Sequence, residues 1–255
     1  MAPQANGFSE LPPPPAVNST HLVTLSGAQL NHVGKKIWQN ECGGTISGLT
    51  SWNGGENFAS LGIGHFIWYP RGTNGPYTES FPQLLSFLQS RNVSLPNWLN
   101  PNLPCPWASR SEFLGNQNSP QMQDLRRLLS STVELQTAFI LDRLDRALPA
   151  MLNQSSPENR SRVDQNFHAL AATTSGSYAL IDYVNFKGEG TNPTERYRGQ
   201  GWGLSQVLQE MHGPNSFEFA EAAKRVLARR VELAPKNERQ WLKGWWNRCD
   251  TYKSF

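Results

Sequence analysis

Trp38-Gln39-Asn40-Glu41-Cys42-Gly43-Gly44, followed by Trp52-Asn53-Gly54-Gly55-Glu56-Asn57-Phe58-Ala59-Ser60-Leu61-Gly62-Ile63-Gly64-His65-Phe66-Ile67-Trp68-Tyr69, is the stretch on which the reading of this chain turns. A carboxylate closes a helix-like run. A glycine-rich turn follows, then a second carboxylate, then a short segment with glycine on alternate positions. Upstream, Ser26 followed three residues later by Gln29 is a capping-box pattern. Leu30, Val33, Ile37 and Trp38 then recur at helical spacing and make one apolar stripe. Gly43 and Gly44 supply a left-handed stop. Glu41 therefore falls in the last turn, at the negative end of the helix dipole, where an anion is disfavoured by about 0.3–1 kcal/mol. Burial against Trp38 or Trp52 would disfavour its charge further. A carboxyl kept protonated near neutral pH is suited to general acid chemistry.

The glycine segment reads as a strand. Side chains alternate along a strand, so Leu61, Ile63, His65 and Ile67 share one face and Ser60, Gly62, Gly64 and Phe66 the other. The second face is nearly bare backbone, which within a strand often marks the close approach of a ligand or another chain segment. Leu61 and Ile63 are expected to pack inward, and His65 is read as a structural histidine bonded to a carboxylate.

Glu41, Glu56, Ser60 and Gly62-Ile63-Gly64-His65 together resemble the active-site helix and hairpin of phage-type lysozymes. In that family a Glu ends the first long helix, and an acidic residue and a hydroxyl residue precede a Gly-Ile-Gly-His strand. The resemblance implies that Glu41 is the general acid. Ser60, usually Thr in the family, matches the residue that helps hold water. Glu56 is the counterpart of the second acid, usually Asp. The chain departs in using Glu there, in placing it nearer Ser60, and in a longer loop from Glu41 to Glu56. Ala179-Leu180-Ile181-Asp182-Tyr183-Val184-Asn185 is similar to the family's central helix, and Arg229-Arg230 with Glu238 near Trp241 are similar to charges near its C-terminus. The likeness covers most of residues 25–250, apart from a longer stretch over residues 70–160.

What the resemblance implies is an α+β, predominantly helical lysozyme-like fold with a small β-hairpin lobe and a cleft between the two. It implies cleavage of the bond between N-acetylmuramic acid and N-acetylglucosamine by a monomer whose partner is peptidoglycan or a related amino-sugar polymer. No metal and no organic cofactor is implied, and the expected location is periplasmic or secreted. Trp52, Trp68, Tyr69 and Trp202 are each ordinary core residues when taken singly, but as a group are expected to contribute to the cleft, together with Gly62 and Gly64. Glu189-Gly190 and Gly203-Leu204-Ser205-Gln206 loosely resemble signatures of lytic transglycosylases. That makes Gln206 a cleft candidate, while Glu189 reads better as a loop glutamate. A lytic transglycosylase and a chitinase or chitosanase are the rival enzymes. A cell-wall glycan-binding protein without turnover is the rival of another class.

Composition agrees with this reading without deciding it. Nine tryptophans in 255 residues are many, as in sites that stack on sugars. Net charge is +3 and the pI is near 8.8, which suits an anionic surface but is too weak to argue nucleic-acid binding. No apolar run approaches the roughly 18 residues of a membrane span, and no signal-peptide pattern opens the sequence. Cys42, Cys105 and Cys249 are too dispersed for a metal site and allow at most one internal disulfide. Cys42 beside Glu41 reads as a small buried residue, not a nucleophile.

Residues 1–20, with Pro12-Pro13-Pro14-Pro15, read as a flexible arm, and residues 21–255 as a single domain. Helices are expected around residues 81–88, as one region over 120–148, after Pro157, and over 178–186, 202–211, 217–231 and 237–248. Residues 92–120 are expected to form a loop with a short helix near 109–114.

Overall fold

The computed structural model describes residues 22–75 and 77–255. The arm expected over residues 1–20 lies outside the described residues. The chain is a predominantly helical α+β protein with a small antiparallel sheet, as the sequence predicts.

Helix α1 runs over Gly27–Cys42 and begins with both halves of the capping box. The Gln29 N–H donates to the Ser26 hydroxyl, and the Ser26 N–H donates to the Gln29 side chain. Gly43 ends the helix at φ 61°, the left-handed conformation that a Cβ would disfavour. Strands β1 (Thr50–Ser51), β2 (Ala59–Leu61) and β3 (Phe66–Trp68) follow as an antiparallel meander. Ser60 in the middle strand pairs with Ser51 on one side and Ile67 on the other.

The continuous strand expected through the glycines is not formed. Gly62-Ile63-Gly64-His65 is the turn between β2 and β3, with Gly62 at φ 71° and His65 at φ 49°. Two left-handed residues reverse the chain, so the two-residue alternation does not extend across them. Ile63 is buried as expected, and its N–H donates to the fully buried Gln136.

After α2 (Phe81–Ser90) and α3 (Arg110–Gly115), the helical region expected over 120–148 is two helices, α4 (Pro120–Ser131) and α5 (Val133–Gln154). The break is at Thr132, whose hydroxyl donates to Leu128 O, while Gln136 turns its side-chain amide onto Leu129 O. Side chains thus satisfy carbonyls at the end of α4. Gln136 thereby fastens α5, the end of α4 and the hairpin turn to one another.

Helices α6 (Pro157–Ala171) and α7 (Thr174–Lys187) follow, then α8 (Leu204–Glu210), α9 (Ser216–Leu233) and α10 (Arg239–Asp250). Residues 176–184 of α7 are all buried, which makes α7 the central helix, packed by α1, α5, α6, α8 and α9. Sequence reading missed the ribbon β4 (Arg196–Tyr197) and β5 (Gln200–Gly201). Its turn puts Arg198 and Gly199 at positive φ, and Arg-Gly is a weak hairpin signal. Among the described residues no helix is long and apolar enough to cross a membrane.

Candidate functional site

Four elements converge on Glu41: the end of α1, the turn Gly62–His65, the end of α7, and α10. The Glu41 side chain is 15 % exposed and its two oxygens have different surroundings. Oε1 accepts from Arg248 Nη2 at 2.7 Å and from Asn185 Nδ2 at 3.2 Å. Oε2 has His65 Nδ1 at 3.6 Å, beyond ordinary hydrogen-bond distance. Two donors hold one oxygen, and the other faces the His65 ring. His65 lies near a carboxylate, but the hydrogen bond expected of it is not formed at 3.6 Å.

Arg248 also engages Asp182, the charged residue within the buried run of α7. Asp182 accepts from Arg248 Nε at 2.8 Å and Nη2 at 2.9 Å, from the Tyr252 hydroxyl at 2.7 Å and from Asn40 Nδ2 at 3.2 Å. Burial disfavours the Arg248 charge, but the two carboxylates outweigh it and hold its pKa above the ordinary range. Arg248 thus bridges two carboxylates, Glu41 and Asp182.

The indoles expected to bury Glu41 are engaged elsewhere. Trp38 Nε1 donates to Thr45 O, and Trp52 Nε1 donates to Glu56 O. The immediate partners of the carboxyl are polar because the ends of α7 and α10 reach it. Cys42 Sγ lies 3.6 Å from Gly62 O and 3.6 Å from His65 Nε2. A Cys–His–Glu line therefore exists, but burial and the Glu41 charge push the thiol up to about 12, so it is not a thiolate at neutral pH. Cys42, Cys105 and Cys249 are all buried and free. Among the described residues no cluster of His, Cys, Asp or Glu could hold a metal ion.

The other predicted site residues have partners of their own. Glu56 lies in the loop before β2, its carboxylate accepting from Asn53 Nδ2 at 3.1 Å. Ser60 is 3 % exposed in the middle strand, with little surface for a water. Trp52 is buried and tilts against Phe113. Trp68 is 1 % exposed between Phe81 and Trp107, so its indole offers no face to a ligand and is a core residue. Tyr69 lines a pocket of about 470 Å³ with Arg71, Glu79 and Leu103, away from Glu41. Trp202 is nearly buried between Tyr197 and the Arg230 guanidinium. Gln206 spends its amide on Gly203 N and Gly190 O, clasping two backbone segments.

The glycine face reads differently once Gly62 and Gly64 are turn residues. A Cβ on Gly62 would meet Gln136 Oε1 and come within 3.1 Å of Phe66. A Cβ on Gly64 would lie 2.7 Å from Phe66 and 2.8 Å from Asn185 Oδ1. These glycines admit the protein's own side chains, which removes the basis for assigning them to a ligand. Gly62→Ala combines a left-handed backbone with overpacking and is expected to cost about 1–3 kcal/mol. A thermal melt checks it: a midpoint unchanged from wild type would contradict the packing role.

Glu189 is held by Arg143 Nε at 2.5 Å. Burial alone would raise its carboxyl, but the Arg143 hydrogen bond and charge outweigh burial and the net shift is downward.

Arg248, Asp182 and Asn185 were not identified as site residues from the sequence. The available signals were the helical spacing of Trp241, Trp245 and Arg248 on α10 and the lone acid Asp182 in an apolar run. In comparisons with known proteins, no family model, no curated protein and no solved structure matches the chain.

Proposed function

We propose that the protein is a glycoside hydrolase that cleaves peptidoglycan between N-acetylmuramic acid and N-acetylglucosamine. The observation that carries the reading is the asymmetric setting of Glu41, with Oε1 held by Arg248 and Asn185 and Oε2 facing His65 at 3.6 Å. The likeness of Glu41, Glu56 and Gly62-Ile63-Gly64-His65 to phage-type lysozymes supports the choice of substrate. In this mechanism Glu41 Oε2 protonates the glycosidic oxygen as the bond to the sugar breaks, and the ring passes through an oxocarbenium-like state. Glu56 stabilises that state or takes a proton from the attacking water.

The direct test is release of new reducing ends from purified peptidoglycan. No release by the folded protein would reject hydrolysis. A glycan-binding protein without turnover is the second reading, favoured by the 2.7 Å bond that ties Glu41 to Arg248. Saturable binding to peptidoglycan with no release would select it.

Glu56→Gln separates a base from a loop residue. If Glu56 assists the attack, the variant should lose at least ~10²-fold in kcat. Full activity would leave Glu56 as a loop carboxylate held by Asn53.

A further inference from the structure

The pocket beside Tyr69 encloses about 470 Å³, within the ~300–1,000 Å³ usual for small-molecule sites. Its walls come from the segments 70–73, 79–82 and 101–104. Each wall is fastened to the end of β3 or to itself by hydrogen bonds. The Ser80 N–H donates to Ile67 O, and the Ser80 hydroxyl accepts from the Ile67 N–H. The Cys105 N–H donates to Tyr69 O at 2.9 Å, and Trp68 Nε1 donates to Leu103 O at 3.2 Å. The Thr73 N–H donates to Pro70 O at 3.0 Å and closes a turn with Gly72 at φ 74°, the position that favours glycine in a type II turn. Arg71 stands at the corner of that turn. Four lining residues are prolines, whose fixed φ stiffens the walls before any ligand arrives.

The polar side chains of this pocket keep bonding capacity that the protein does not use. Glu79 Oε1 accepts from the Tyr69 N–H at 2.7 Å, which fixes the carboxylate in place. Among the described residues Glu79 Oε2 has no partner, and Arg71 makes neither an ion pair nor a hydrogen bond. The Thr73 hydroxyl and the Asn102 side-chain amide have no partner there either. The pocket therefore presents one carboxylate and one guanidinium that do not pair with each other. Leu103, 47 % exposed, adds apolar surface beside the proline rings.

We propose that this pocket binds a small zwitterion, an amino acid or a short peptide, with its ammonium on Glu79 and its carboxylate on Arg71. A guanidinium suits a carboxylate because its N–H fork donates to both oxygens. A carboxylate only accepts hydrogen bonds and an ammonium only donates them, so Glu79 complements the other end. Thr73 and Asn102 carry donors and acceptors for a peptide unit between the two ends. Leu103 and the prolines offer contact to small apolar side chains. A neutral sugar would leave both charges unpaired, so the pocket selects against it. The proposal is independent of the reading of Glu41.

The experiment is an NMR titration of wild type with alanine, alanylalanine and trialanine. The N-acetylated and C-amidated forms of the tightest binder follow. All are run at about pH 6, below the ~7.7–8.0 at which a peptide's α-amine loses its proton. The amide signals of Thr73 and Leu103 report on the pocket and should shift saturably. The tightest of the three probes decides between amino acid and peptide. Each cap should weaken binding about 10-fold, the usual contribution of a charge-assisted bond.

Glu79→Gln keeps an oxygen for the Tyr69 N–H and removes the charge. It should abolish the effect of N-acetylation and leave that of C-amidation, and Arg71→Gln should do the reverse. No saturable shift at Thr73 or Leu103 with any probe would overturn the proposal. Equal affinity for a capped and an uncapped form in wild type would do so too, as would a variant that retains the effect its substitution should remove. The capped probes are compared on wild type, so that test stands even if a variant fails to fold.

Discussion

Glu41→Gln should lower turnover on peptidoglycan by at least ~10² to 10⁴, the usual contribution of a general acid. The substitution keeps the shape of the side chain and an oxygen for Arg248 but removes the transferable proton. Stability should change little, because Arg248 retains both of its bonds to Asp182. We expect a loss of about 1–2 kcal/mol, that of one hydrogen bond to a charged group at a partly exposed site. Steady-state kinetics with a denaturation curve on the same preparation checks both parts. Activity within a few-fold of wild type would remove Glu41 from the chemistry, whatever the fate of the fold.

Asp182→Ala should have the largest effect on stability, about 3–5 kcal/mol, the usual cost of breaking a buried ion pair from one side. Asp182 is fully buried and accepts from Arg248, Tyr252 and Asn40. Its loss leaves the Arg248 guanidinium, itself 10 % exposed, with Glu41 as its remaining carboxylate. Urea denaturation measures the change through a shift in midpoint at constant slope. The two carboxylates on Arg248 are thus predicted to divide their duties: Asp182 maintains the fold and Glu41 does the chemistry. Equal losses of stability in Asp182→Ala and Glu41→Gln would contradict that division.

The sequence and the structure agree where local rules decide the outcome. Ser26, Gln29 and Gly43 bound α1 because capping and left-handed stops depend on neighbouring residues. Pro157 and the apolar spacing of Val163, Phe167 and Leu170 likewise defined α6. The glycine turn was misread because Gly-x-Gly is compatible with a strand or a reversal, and its tie to Gln136, 73 residues away, was not legible locally. The partners of Glu41 were harder still. Arg248 lies 207 residues from Glu41, and Asn185 lies 144. Pairing at such separations follows from packing α1, α7 and α10 together, which periodicity does not specify. The tryptophans failed as site markers because their apolar area favours the core, as Trp68 shows between Phe81 and Trp107.

The central claim, hydrolysis with Glu41 as acid, is tested most directly by mass spectrometry of the fragments released from purified peptidoglycan in heavy-oxygen water. Hydrolysis predicts muramic acid at the new reducing ends, each carrying one heavy oxygen from solvent, and predicts that these fragments disappear in Glu41→Gln. Anhydro ends without solvent oxygen would identify transglycosylation, and the absence of fragments would identify a binding protein; either result would contradict the hydrolytic account.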